Sequence, residues 1–305
     1  MVPIKHKHVN PEESKLLLNR GNQRLVEQKY LSALHEFKKA QRIAPGDPEI
    51  LFKLGLSYDY LKRFEQALTH YAQCLRLAPD MEGAWEYSGV VHHELYQYEK
   101  ALDCYERAIS LNPGYPYAYF NKAITLEAMG KLSEAMKYYD KTTELAPKYG
   151  SAYLHKGKLL HRLGRHERAA DVLKLAVRFS RHDDRAYFAL GDSLMALRRN
   201  REALREYQKG LALDQRNAEG WKNAGEAAFR SKRFDIATAA FKKSLELHPW
   251  NISTYYCVAD SLRLQNKLKE ARRYVERGLR RFPSHGNLRA LRQIIRLNAE
   301  PRTLV

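Results

Sequence analysis

Histidine is the residue of this 305-residue chain whose chemistry would be easiest to recognise, because clustered imidazoles bind metal ions and act as general bases. His92 and His93 are adjacent, so on a helix they point about 100° apart and are poorly placed to share an ion. His155, His161 and His166 are separated by six and five residues. A helical metal site places its two histidines four residues apart. We therefore predict no metal site and interpret these histidines as surface or groove residues.

Cysteine gives no sign of redox or metal chemistry. Cys74, Cys104 and Cys257 lie far apart in the sequence and are odd in number. They are interpreted as reduced thiols of a cytoplasmic protein. The segment Lys5–His8 alternates lysine and histidine and is interpreted as a basic tail.

Short catalytic and cofactor-binding motifs are also missing from the sequence. There is no GxGxxG, GxxxxGK[ST], HExxH, GxSxG or CxxC motif. We predict no catalytic residue, no enzymatic activity and no cofactor. The first 13 residues contain no apolar stretch of signal-peptide length, and no segment reaches about 18 uninterrupted apolar residues. A cytoplasmic location without a transmembrane segment is predicted.

The net charge of +18 raises the alternative of nucleic-acid binding. Most of the charge follows residue 150, whereas residues 82–115 are net acidic, so no basic stripe runs the whole length. A nucleic-acid-binding protein would use a basic surface, and adsorption to an anionic membrane would use the same side chains. These are Arg198, Arg199, Arg201, Arg205, Arg272, Arg273, Arg280 and Arg281.

The elements that must position these side chains follow from a repeat of 34 residues between Ser14 and His285, without insertion or deletion. Alanine stands at the twentieth position of every block, and small residues stand at the eighth and twenty-seventh. The eight blocks are 14–47, 48–81, 82–115, 116–149, 150–183, 184–217, 218–251 and 252–285.

Each block has room for two helices of about a dozen residues, joined by short turns. Small residues at positions 8 and 20 let the two backbones approach, and bulky residues at positions 4 and 24 fill the space beside them. Proline at position 32 of six blocks ends the second helix. Arg181 and Gln215 replace it in blocks five and six, which predicts looser turns or longer helices there. One such hairpin cannot bury its apolar face alone, so consecutive hairpins must stack.

This period and residue order resemble the tetratricopeptide-repeat family. The resemblance covers Ser14–His285 and implies an all-α, right-handed superhelical solenoid of helix-turn-helix repeats. Residues 1–13 form an N-terminal segment that includes a predicted N-cap at Asn10. Residues 286–305 are predicted to be a capping helix and a frayed tail. The predicted apolar face of that helix consists of Leu288, Leu291 and Ile295.

The resemblance also implies a concave groove lined by positions 2, 5, 6, 9, 12 and 13 of the first helices. The aromatic residues at these positions are Phe52, Tyr60, Tyr87, Tyr117, Phe120, Phe188, Phe229 and Tyr256. The polar and basic residues singled out there are Asn121, Asn223, His155, Lys158 and Arg162. The groove of blocks two to four is expected to be acidic, through Glu49, Asp59, Glu86, Glu94 and Glu127.

Two ligand modes of the family can be compared with these residues. The carboxylate clamp for chaperone tails is not completed in any frame, so binding of chaperone C-termini is not predicted. The asparagine ladder of the sugar-transferase superhelix would find only Asn19, Asn121 and Asn223.

The sequence therefore predicts a scaffold or adaptor that binds a protein or peptide segment in its groove, centred on blocks four to six. Aromatic anchors would supply affinity and the change from acidic to basic lining would set direction. Nucleic-acid binding by the basic second-helix and C-terminal surface is the alternative, and the groove carboxylates argue against it.

Overall fold

The computed structural model describes residues 11–299. These residues form seventeen α-helices and no strand, which confirms the predicted all-α class and the tandem helix pairs. The predictions for Lys5–His8, Asn10 and 301–305 fall outside the described residues.

The chain divides into two compact units. Unit 1 comprises Met1–Pro147. Its described helices are α1 (Pro11–Val26), α2 (Tyr30–Ile43), α3 (Pro48–Tyr60), α4 (Phe64–Leu77), α5 (Glu82–Glu94), α6 (Tyr98–Leu111), α7 (Pro116–Ala128) and α8 (Leu132–Leu145). Odd-numbered helices are the first helices of their pairs, and each packs against the even-numbered helix that follows it.

Unit 2 comprises Lys148–Val305. Its described helices are α9 (Gly150–Arg162), α10 (His166–Phe179), α11 (Asp184–Ala196), α12 (Asn200–Leu213), α13 (Ala218–Arg230), α14 (Phe234–Leu247), α15 (Ile252–Leu264), α16 (Leu268–Arg281) and α17 (Gly286–Ala299). The helix α17 packs on α15 and α16 and buries Leu288, Leu291 and Ile295, the residues of its predicted apolar face.

Side-chain caps fix where several first helices begin. The carboxylate of Asp47 accepts a hydrogen bond from the amide of Glu49 at 2.8 Å, and Pro48 occupies the first turn of α3. Asn217 and Asn251 cap α13 and α15 in the same way. Each cap satisfies a helix amide that would otherwise lack a partner.

The first helix of every block ends on one residue in the left-handed backbone region. The residues with positive φ, all at position 15, are Gln28, Lys62, Tyr96, Gly130, Gly164, Arg198, Lys232 and Asn266. This conformation reverses the chain within two residues of the helix end. The tight reversal brings the second helix back along the first.

Contact between the two helices of a block depends on the small residues identified in the sequence. All eight alanines at position 20 are completely buried. A Cβ atom added to Gly55 would come within 2.4 Å of the Tyr71 ring, and one added to Gly191 within 2.4 Å of the Tyr207 ring. The bulky residue at position 24 therefore lies directly on the small residue at position 8.

The missing prolines do not change the second helices. The helices α10 and α12, which precede Arg181 and Gln215, have 14 residues each, as α8 does. The expectation of longer helices in blocks five and six is wrong. Proline at position 32 is therefore not required to end the second helix.

Candidate partner-binding surface

We call the surface formed by the first helices of a unit its first-helix face. It consists of α1, α3, α5 and α7 in unit 1, and of α9, α11, α13 and α15 in unit 2. Consecutive first helices contact one another in both units. A side chain on one first helix can therefore bond to the next, as His93 does to the Thr125 hydroxyl at 2.9 Å.

An aromatic cluster occupies the first-helix face of unit 1. The Phe52 ring lies 5.7 Å from that of Tyr87 and 5.9 Å from that of Tyr71. Tyr60 stacks on Tyr30 at 4.8 Å and keeps 45% of its surface exposed. The predicted groove residues Phe52, Tyr60 and Tyr87 therefore lie together, on two neighbouring first helices.

The two predicted groove residues of α7 differ from each other in their exposure. Tyr117 is 48% exposed, as predicted. Phe120 is only 7% exposed and packs against Tyr139 at 6.1 Å, so it belongs to the core and offers no anchor surface. Its ring turns towards Tyr139 on α8, the second helix of its own block, so little of Phe120 is available to a ligand.

The amide of Asn121 was predicted to bond a peptide backbone. Its nitrogen instead donates to a carboxylate oxygen of Glu86 on the preceding first helix. The second oxygen of Glu86 accepts from the Tyr115 hydroxyl at 3.3 Å. Asn121 therefore holds Glu86 in position.

Two of the carboxylates predicted for this face, Asp59 and Glu86, are buried, whereas Glu49 and Glu94 are exposed. Glu86 is 4% exposed, and burial raises its pKa from 4.5 to about 7, against the hydrogen bonds from Tyr115 and Asn121. Asp59 is 8% exposed, and burial raises its pKa from 3.8 to about 6. The position of a carboxylate within the repeat did not reveal this burial.

Unit 2 presents the basic part of the predicted lining. Lys158 and Arg162 on α9 are exposed, and His155 is half-buried. Phe188 on α11 is wedged beneath the next repeat, because a Cβ atom on Gly220 would lie 2.6 Å from its ring. Phe188 therefore contributes mainly to packing between blocks.

The remaining predicted residues of unit 2 lie on α13. The Asn223 amide donates to Asp192 at 3.4 Å, and Asp192 also accepts from the Tyr207 hydroxyl at 2.7 Å. The half-buried Phe229 ring lies 5.4 Å from that of Phe234. Asn223 and Asp192 belong to the wall of an open pocket of about 300 Å³. This pocket is lined by His161, Asp192, Met195, Ala196, Tyr207, Asn223, Glu226 and Arg230.

The residues predicted for the centre of the groove are divided between the two units. Tyr117, Phe120 and Asn121 belong to unit 1, whereas His155, Lys158, Arg162 and Phe188 belong to unit 2. Among residues 11–299, no three histidine, cysteine, aspartate or glutamate side chains are arranged to hold a metal ion. None of the helices in this range has the length and apolar character needed to cross a membrane.

Sequence profiles of one repeat family match this chain. A profile described as a tetratricopeptide repeat matches residues 120–184 and 188–251, and a second with that description matches 48–81. A profile described as a TPR repeat matches residues 95–130. Together the matches span more than half of the chain. A search of curated proteins finds no match.

Solved structures share this fold at low sequence identity. YrrB, described as a TPR protein with an unusual peptide-binding site, has a TM-score of 0.59 at 21% identity, over 63% of this chain and 99% of YrrB. The C-terminal part of a TPR repeat-containing protein from Cytophaga hutchinsonii has a TM-score of 0.61 at 16% identity, over 79% of this chain and 99% of its own. A chain of the APC/C hetero-tetramer Cut9-Hcn1 has a TM-score of 0.55 at 17% identity, over 96% of this chain and 57% of its own.

Proposed function

The chain belongs to the tetratricopeptide-repeat family, and we propose that it binds a segment of a partner protein on the first-helix face of unit 1. The tetratricopeptide-repeat fold generally mediates protein–protein interaction. The protein would act as a scaffold or adaptor without chemistry of its own.

The exposed aromatic surface of α3 and α7 carries this proposal. Tyr60 and Tyr117 each keep close to half of their surface exposed, and the half-buried Tyr87 ring lies beside Tyr60 and 5.7 Å from that of Phe52. Tyrosine supplies a large contact area at a small loss of conformational entropy, and aromatic residues commonly dominate the binding energy of an interface. YrrB, whose fold this chain shares, is described as binding a peptide.

A displayed library of random 12-residue peptides, selected against the immobilised full chain, tests the proposal. We expect Tyr60→Ala with Tyr117→Ala to weaken the selected peptides by about 2 kcal/mol or more, which is about thirtyfold in Kd. The matched control replaces two exposed aromatic residues of the turns, Tyr96 and Trp250, which are 79% and 67% exposed.

If the proposal is wrong, the control pair should lose affinity for the selected peptides and the first-helix pair should keep it. Peptides that lose affinity for Tyr96→Ala with Trp250→Ala, but not for the first-helix pair, would place the ligand outside the first-helix face. Circular dichroism at 222 nm must be the same for both pairs, since all four residues are exposed and none is in the core.

A further inference from the structure

Two first-helix side chains at position 12 contact a hydroxyl of the next first helix. His93 bonds to Thr125 at 2.9 Å, and His161 bonds to Ser193 at 3.1 Å. In both pairs, position 12 of one first helix faces the hydroxyl at position 10 of the next. The same contact therefore occurs in unit 1 and in unit 2, whereas Glu127, at position 12 of α7, accepts from the Tyr139 hydroxyl of its own block at 2.8 Å.

Asp59 occupies this position on α3, but the next first helix offers Val91 in place of a hydroxyl. Asp59 is 8% exposed, and no side-chain hydrogen bond or ion pair of residues 11–299 involves it, although its oxygens are not fully buried. The cation that acts on it is Lys62, which is 68% exposed and reaches Glu94 at 3.8 Å. A buried carboxylate without a partner is unfavourable unless a ligand supplies one.

Two further acceptors lie on the neighbouring helices α4 and α5. Glu86 on α5 is 4% exposed, and its hydrogen-bond donors, Tyr115 and Asn121, are both neutral. The hydroxyl of Tyr71 is fully buried and has no hydrogen-bond partner among the described residues. Asp59 and Glu86 both help to raise the pKa of Tyr71, after burial, so all three groups lie within electrostatic reach of one another.

Aromatic rings surround these acceptors. Tyr71 and Tyr87 lie 6.5 Å apart between their ring centroids, with Phe52 within 6 Å of both. Tyr60 is adjacent to Asp59 in the sequence. Aromatic faces attract a cation, and the attraction grows when the cation is desolvated. We call Asp59, Glu86 and Tyr71, together with the rings of Phe52, Tyr60 and Tyr87, the Asp59–Glu86 cluster.

We propose that the Asp59–Glu86 cluster receives the side chain of an arginine or lysine from the bound segment, an inference that rests on the proposed function. A guanidinium or ammonium group supplies a donor to Asp59 and to the Tyr71 hydroxyl and a positive charge to Glu86, whose own donors are neutral, and the rings cover its apolar stem. A metal ion fits less well, because the described residues around the cluster offer two carboxylates and no third charged ligand.

The chemistry required of the partner is opposite to what the whole chain would attract. With a net charge of +18, non-specific electrostatics favours acidic peptides. A preference for one basic residue in a bound peptide must therefore come from a local site.

The peptide library described above also tests this inference. Among the selected peptides, we expect arginine or lysine at one fixed position. Replacing that arginine by citrulline, which keeps the shape and removes the charge, should weaken binding by at least about tenfold. If the fixed position holds lysine, replacing it by norleucine should likewise weaken binding by at least about tenfold. In the Asp59→Asn, Glu86→Gln protein, the basic peptide and its neutral analogue should bind within about twofold of each other.

The matched control is Glu65→Gln with Glu99→Gln, on the second helices α4 and α6, where both carboxylates are exposed. It changes the net charge equally and should retain the tenfold preference. A purely structural role for Asp59 and Glu86 would change affinity for both peptides alike, without altering their ratio.

The possible failures are distinguishable. This inference would be overturned if the selected peptides had no basic residue. It would also be overturned if their basic preference survived Asp59→Asn with Glu86→Gln. Either result would leave the proposed function standing. Peptides whose binding is insensitive to Tyr60→Ala with Tyr117→Ala would overturn the proposed function, and this inference with it.

Discussion

At the scale of single residues, Glu86 should make the stability of the protein depend on pH. Its pKa is about 7 in the folded chain against an ordinary value of 4.5, so the folded state binds a proton more readily between these values. Stability from this group is therefore present below about pH 4.5 and is lost as the pH rises through 7. The loss amounts to roughly 3 kcal/mol.

The variant Glu86→Gln isolates this effect, because glutamine resembles the protonated side chain at every pH. We expect it to match the wild type near pH 4.5 and to exceed it by roughly 3 kcal/mol in free energy of unfolding at pH 8. Urea denaturation at the two pH values measures the difference. A variant less stable than the wild type at pH 8 would mean that the ionised carboxylate supports the fold.

The sequence located Asp59 and Glu86 on the first-helix face but could not show that they are buried. Their positions were assigned from one repeat at a time, whereas burial arises from the neighbouring repeat. Val91 leaves Asp59 without a partner, and Asn121 covers Glu86. Phe120 is buried for a different reason, since its ring packs against Tyr139 of its own block. A comparison of residues about 32 to 35 positions apart could have identified these pairs.

At the scale of the elements, the left-handed residue that ends each first helix should govern local stability. Gln28 has φ 57° and Gly130 has φ 78°, at equivalent positions of blocks one and four. A side chain in this region costs about 1–2 kcal/mol, and glycine avoids that cost. Replacing such a residue by glycine recovers less than this cost, because glycine makes the unfolded chain more flexible.

Exchanging the two residue types should move stability in opposite directions. We expect Gln28→Gly to stabilise the chain by about 0.5–1 kcal/mol and Gly130→Ala to destabilise it by about 1 kcal/mol. A Cβ atom at Gly130 would have no heavy atom outside its own turn within 4 Å, so only backbone conformation is tested there. Shifts of the urea midpoint measure both effects, and a neutral Gly130→Ala would show that the turn relaxes into another conformation.

The sequence predicted the helices well because their signal is repeated. Invariant alanine at position 20 and small residues at position 8 indicated close helix contact, and rings such as Tyr71 do lie on glycines such as Gly55. The left-handed turn was missed because only two of its eight residues are glycine, the type that normally marks it. Backbone geometry is imposed there by the flanking helices.

At the scale of the whole molecule, net charge points to a different ligand from the one proposed for the first-helix face of unit 1. The excess of basic residues suggested nucleic acid, yet the first-helix face of unit 1 combines aromatic rings with two buried carboxylates. Composition averages over all surfaces, whereas recognition depends on one. Neither the composition nor the first-helix face specifies the partner's sequence. The proposal therefore specifies the partner's chemistry: an extended segment with a basic side chain.

Site-specific photocrosslinking in cells tests the central claim most directly. The photoreactive residue p-benzoylphenylalanine is similar to tyrosine in shape and can replace Tyr60 or, as the control, Tyr96. Both tyrosines are exposed, but only Tyr60 lies on the first-helix face. We predict a nuclease-resistant protein adduct from position 60, reduced by Tyr117→Ala, and little or none from position 96. An adduct formed only at position 96, or one with nucleic acid at position 60, would contradict binding of a partner protein on this face.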